Sequence, residues 1–184
     1  GSTLIGDEFK WDKLTDDEKV LLGSEDILNY LRGVRTKEVL NGGTLRDRDP
    51  KTVLGDISHS SPVYAKDSES VFVGANDGML HAFDATNYGK ELFAFIPSAV
   101  LDRLKYISQP AFNQSHKFFV DGDLAVSTKA QSAGKNYLVA ALGRGGKGLF
   151  GLDVTDPRDI RSHAHAHQPH QQAPKVWVGW HVHG

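Results

Sequence analysis

The stretch Val71-Phe72-Val73-Gly74-Ala75-Asn76-Asp77-Gly78-Met79-Leu80-His81-Ala82-Phe83-Asp84 decides the fold. Two short apolar runs, 71–74 and 79–83, flank Asn76-Asp77-Gly78, whose Asp-Gly pair supplies the positive φ angles of a tight hairpin turn. Alternating side chains on either side suit a pleated strand pair. After a polar turn, Gly89-Lys-Glu-Leu-Phe-Ala-Phe95 adds a further strand. Strand, turn, strand, turn, strand is most of a propeller blade.

Upstream of this hairpin, Leu54-Gly-Asp-Ile-Ser-His-Ser-Ser-Pro-Val-Tyr64 leads into an earlier strand. Downstream, Ile96 to Ile107 reads as helix: Pro97 is tolerated in a first turn, and Val100, Leu101, Leu104 and Ile107 fall at helical spacing. Phe118-Phe119-Val120 returns to strand, followed by Asp121 to Ser127. Tyr137 to Leu142 and Leu149 to Val154 then form another hairpin around a glycine-rich turn.

The two β segments repeat one pattern. Gly55-Asp56 recurs as Gly122-Asp123, 67 residues on (122 − 55), and Phe83-Asp84-Ala85-Thr86 recurs as Leu152-Asp153-Val154-Thr155, 69 residues on (152 − 83). Propeller repeats commonly run about 40–50 residues, and the helical insertion near Pro97 to Ile107 accounts for the surplus. Closing a propeller takes about four to eight blades, so two copies predict an incomplete one. The fold class expected is mainly β: an incomplete β-propeller with quinoprotein-like blades and short helical segments at the N-terminus and around Pro97 to Ile107. The expected division is a helical and loop lead-in over 1–52, the first blades over 53–157, and an irregular His-rich tail over 158–184.

The lead-in contains two helix starts. Thr15-Asp-Asp-Glu18 is a capping box, and Ser24 caps a second segment with Ile27, Leu28 and Leu31 on one face, ending near Gly33. The polar run from Thr36 to Pro50, with Arg46-Asp47-Arg48-Asp49 alternating in charge, reads as a solvated loop. The 184 residues, 39% hydrophobic, suffice for one ordinary core. A net charge of -2 argues against nucleic acid or an anionic membrane as the main partner. With no cysteine, disulfides, thiolate metal sites and cysteine nucleophiles are excluded. No apolar run is long enough to span a bilayer, and the Gly1-Ser2 start without Met reads as a fragment or as the scar of a tag.

Several motifs invite a chemical reading. Gly143-Arg-Gly-Gly-Lys-Gly148 fits G-x-G-x-x-G, but a dinucleotide site needs a helix next. Leu149-Phe-Gly-Leu-Asp-Val154 reads as strand, so a hairpin turn is expected. Asp121-x-Asp123 and Asp153-x-x-Asp156 are too few oxygen ligands for calcium and read as turn aspartates. His59 among Ser58, Ser60 and Ser61 lacks a G-x-S-x-G elbow. His81 reads as a packed or surface blade residue. Ser162-His-Ala-His-Ala-His-Gln-Pro-His170, with His181 and His183, could bind metal adventitiously but brings no acidic ligand. The abrupt change in composition after Arg158 reads as a tail foreign to the repeat. No catalytic, cofactor or metal residue is therefore assigned.

Four blocks in order carry a family resemblance: Leu54 to Tyr64, Val71 to Asp84, Gly89 to Ser98, and Gly143 to Pro157. Together they resemble the start of the C-terminal β-propeller of the PilC/PilY-type type IV pilus tip and biogenesis proteins, over roughly Tyr30 to Pro157. The resemblance implies a secreted, surface-exposed, pilus-associated protein at the bacterial outer membrane. It implies support of pilus assembly, twitching motility and adhesion, with pilus components such as minor pilins and host or surface receptors as partners. It implies no enzymatic activity, and calcium for the complete family domain through a loop further along the propeller. The competing class is the propeller of a quinone (PQQ)-dependent dehydrogenase. That site needs quinone, calcium and a carboxylate at the central channel, and this chain has no Trp between Trp11 and Trp177.

Overall fold

The computed structural model describes residues 7–159 and 177–179. A two-residue strand, β1 (Asp7–Glu8), precedes α1 (Asp16–Leu22) and α2 (Glu25–Leu31). The capping box forms: Thr15 Oγ1 accepts from Glu18 N while the Glu18 carboxylate accepts from Thr15 N. Ser24 caps α2 through Ile27 N. With four orphan N–H groups at each helix start, such caps let helices this short persist while burying Leu22, Leu28, Tyr30 and Leu31.

Blade one is the meander β2 (Val63–Ala65), β3 (Ser70–Gly74), β4 (Leu80–Asp84) and β5 (Glu91–Ile96), antiparallel throughout. Within the 76–78 loop only Gly78 takes positive φ, at +93°, so the turn is a three-residue hairpin with a single left-handed position. Period-two alternation splits the blade into two faces. Ser70, Phe72, Leu80, Ala82, Phe93 and Phe95 share one; Val71, Val73, His81, Phe83 and Ala94 share the other.

The expected helix after blade one starts later than its sequence suggests. Ile96 is still strand, and Pro97 is extended (ψ 130°), so helical geometry begins at Ser98 and reaches α-form only in α3 (Leu101–Leu104), between 3-10 turns. The predicted apolar face is nonetheless right: Val100, Leu101, Leu104 and Ile107 are buried. Phe118-Phe119-Val120 is not a strand. Phe119 N donates to the Asn76 side chain instead of to a ladder, and just beyond the stretch Asp121 N donates to Leu142 O.

Blade two contains β6 (Leu124–Val126), β7 (Tyr137–Ala141) and β8 (Leu149–Asp153), antiparallel. Its Leu138, Ala140, Phe150 and Leu152 lie on one face and join blade one in a single buried cluster, with the Phe95 and Phe150 rings 5.3 Å apart. Each Leu or Phe among them contributes roughly 1.5–3 kcal/mol on full burial. β9 (Trp177–Gly179), inside the stretch expected to be irregular, pairs antiparallel with β5 and parallel with β1. The histidine run from Ser162 to His170, and His181 and His183, lie outside the described residues. Among the described residues the two sheets do not close on each other, as an incomplete propeller requires.

The repeat is physical as well as textual. A Cβ at Gly55 would lie 2.3 Å from Asp77 N, and one at Gly122 would lie 2.6 Å from Ala141 O, so both blades need bare backbone where an approach segment crosses the hairpin. Beside them Asn76 N donates to Asp56 O, and Ala141 N to Asp123 O.

The solvated-loop expectation for 36–50 holds for most of the run, which is exposed, but fails at Glu38 and Arg48. The Arg48 side chain is 8% exposed, donates to Glu38 Oε1 (2.6 Å), Tyr30 O and Val34 O, and stacks 3.9 Å over the Tyr30 ring. Arg35 also reaches Glu38. A guanidinium fork satisfies several carbonyls at once, which turns a charged run into an internal strap.

Candidate functional site

Three segments meet at one end of the blades: the approach 54–62, the hairpin loop 75–79, and the 142–148 connection with the insertion over it. His81 lies beneath, buried to 2% in β4. Its Nδ1 donates to Glu91 Oε1 (2.6 Å) from β5, and its Nε2 to Asp77 Oδ2 (3.0 Å) in the hairpin loop. Desolvation alone would lower its pKa. The Asp77 charge and hydrogen bond, with those of Glu91, outweigh it and raise the pKa to about 10. Asp77 is desolvated too, yet His81 and the Gly55 and Met79 amides hold its carboxyl below the ordinary range. The group is a carboxylate–imidazolium–carboxylate sandwich, stacked on Phe83.

A cleft of about 790 Å³ opens beside it, lined among others by Val53, Leu54, Phe83, Lys90, Leu92 and Arg158. Both imidazole nitrogens are already bonded to carboxylates, so neither offers a lone pair to a metal or a substrate proton. Sequence reading left His81 as a packed or surface blade residue; the structure packs it, and its partners Asp77 and Glu91 were missed. The signal available was a spacing: i−4 through the turn and the β4–β5 register.

His59 carries the most enzyme-like geometry. Asp121, fully buried, accepts from His59 N (3.2 Å) and pairs with His59 Nδ1 (2.8 Å). A hydrolase would then need a hydroxyl on the ring. Ser60 Oγ instead accepts from Gly74 N and Ser58 Oγ from Asn76 Nδ2, and among the described residues no hydroxyl bonds to either His59 ring nitrogen. The pair ties the approach segment to blade two.

Asp121 is therefore not the turn aspartate its sequence suggested. Asp153 and Asp156 are: they accept from Thr155 N and Arg158 N. Asp84 does the same with Thr86, and that hydrogen bonding, with Arg158, holds its carboxyl below the usual range. The Gly143–Gly145 turn joins β7 to β8 as a hairpin connection, without a phosphate-binding helix. Sequence reading also missed two clasps between blades, Arg158 onto Asp84 and Ser68 O, and Asp67 onto Lys129 N and Asn136 Nδ2. Among the described residues no group of three His, Asp or Glu side chains is arranged to hold a metal ion, and no helix is long and apolar enough to cross a membrane.

Repeated antiparallel blades packed face to face, with their buried titratable groups turned inward on one another, define a β-propeller segment. Comparison with known proteins narrows the class. A family model described as the PilY1 beta-propeller domain matches residues 49–167, and this chain belongs to that family. The type IV pilus biogenesis factor PilY1 homolog of Xylella fastidiosa (strain Temecula1 / ATCC 700964) is 42% identical over 164 aligned residues, 73% of this chain and 13% of that protein. The type IV pilus biogenesis factor PilY1 of Pseudomonas aeruginosa (strain PAK) is 36% identical over 195 aligned residues, 84% of this chain and 16% of that protein. The chain thus spans about a sixth or less of the length of these curated relatives. No solved structure matches.

Proposed function

We propose that this chain supplies propeller blades to a type IV pilus biogenesis factor and works there without catalysis, as a rigid docking scaffold. Family membership over residues 49–167 carries the reading. The geometry supports it: His81 and His59 are spent on holding loops and blades together. The role extends to pilus assembly, twitching motility and surface attachment, with pilus components such as minor pilins and host or surface receptors as partners. The location that follows is extracellular, on the pilus at the outer membrane, with calcium bound elsewhere in the complete domain.

The test is to delete residues 53–157 from the whole protein in a piliated bacterium and follow export, surface pili, twitching and attachment. Loss of pili with export intact is expected; normal piliation would overturn the reading. A second assay supplies PQQ, calcium and an alcohol to the purified protein. Turnover there would overturn the non-catalytic part and favour the dehydrogenase class.

A further inference from the structure

The end of the molecule carrying the blade turns also bears an alternating row of cations and aromatic rings. The Arg46 guanidinium lies 5.0 Å over Phe112, whose ring centroid is 5.6 Å from His116. His116 meets Phe118 edge-on at 5.1 Å, and Phe118 takes His59 edge-on at 5.7 Å and the Arg144 guanidinium at 5.5 Å. Alongside, Lys117 and Lys105 stand 5.0 and 6.0 Å over the Tyr106 ring. The row draws on four segments far apart in sequence, so tertiary packing alone assembles it.

Its charges are uneven. Asp121 is buried and committed to His59, and Asp56 pairs with His116. Lys105, Lys117 and Arg144 have no carboxylate partner among the described residues, although the whole chain is net negative. Cations resting on aromatic faces are held in place before any partner arrives, which lowers the ordering cost of binding.

We propose that this surface docks an acidic segment of a protein partner: its carboxylates meet Arg144, Lys117 and Lys105, and its apolar portion lies on Phe118. The proposal leans on the pilus-factor reading only in expecting the partner to be a pilus component. A protein segment fits better than a nucleic acid. Asp56, exposed beside His116, and Asp102, exposed beside Arg103, interrupt the positive surface, whereas a continuous phosphate backbone needs many cations in register.

The 184-residue chain is titrated with a short labelled Asp/Glu-rich peptide, a Lys-rich peptide and an oligothymidylate, at low and moderate salt. Saturable binding of the acidic peptide alone is expected, weakened at least about tenfold by K117E with R144E and by a smaller factor by F118A. K66E with K90E, on the turns at the opposite end of blade one, leaves binding unchanged, and melting temperatures confirm that the charge variants fold. No saturable acidic-peptide binding, equal binding of the oligothymidylate, or equal loss in the K66E/K90E control would overturn the proposal. In cells, normal piliation with K117E/R144E beside loss of pili on deleting 53–157 would sink the surface and spare the pilus-factor reading. Normal piliation after the deletion would sink that reading while leaving the peptide result to stand.

Discussion

The two blades share a plan and differ in what covers them. Blade one has four strands and both faces largely buried; blade two shows three strands, with Tyr137, Val139 and Leu149 exposed along one face. At repeat-equivalent positions Leu80 is 0% exposed and Leu149 is 59% exposed. On the opposite face, His81 of blade one stands where blade two has Phe150. One site uses a desolvated ion triad, the other a ring packed on Phe95. Burial in a propeller thus comes from the neighbouring blade more than from a blade's own sequence.

The comparison is sharpened most by His81→Phe, which copies blade two into blade one. It leaves Asp77 and Glu91 facing apolar surroundings without their cation, so a loss of about 3–5 kcal/mol is expected in denaturant unfolding. A neutral result would mean the triad is dispensable. The same triad sets a pH profile. The raised His81 pKa gives stability that is full below about pH 6.5 and lost as pH rises through about 10. Asp77, lowered, adds stability present above about pH 3.8 and lost in acid. Melting temperature should therefore fall on the alkaline side in the parent and much less in His81→Phe; a parent profile flat from pH 6.5 to 10 would contradict the pairing.

Leu80→Ala and Leu149→Ala test the coverage directly. The first should cost about 2–5 kcal/mol and the second within about 0.5 kcal/mol. Equal costs would show that the open face of blade two is covered in solution. Gly55→Ala and Gly122→Ala ask whether the repeat is energetic as well as geometric: each should lose about 1–3 kcal/mol, by similar amounts. A large inequality would separate the two crossings. Smaller than the glycine and core effects is the Phe95–Phe150 contact. A double-mutant cycle to Leu should return a coupling of about 0.5–1.5 kcal/mol.

Much of this was legible in the residues. Asn76-Asp77-Gly78 between alternating apolar runs gave the blade-one hairpin, Thr15 and Ser24 gave the helix starts, and the Gly-Asp and Asp-x-Thr pairs gave the repeat. These are local signals, written in backbone propensity and side-chain period over a few residues. Local reading failed where long-range packing decided. Phe118-Phe119-Val120 has strand composition, yet the Phe119 amide is claimed by the Asn76 side chain. Arg46 and Arg48 look like solvated charge, yet carbonyls brought near by the fold pull them inward.

The sequence by itself determined the class: a cysteine-free, mildly acidic, repeated blade pattern with glycines at its crossings. Only tertiary structure decided which histidine is an imidazolium, which aspartate spans two blades, and which cations are left facing outward. Those outcomes depend on desolvation and on partners 4 to 90 residues away along the chain, and burial in particular is encoded in no local pattern.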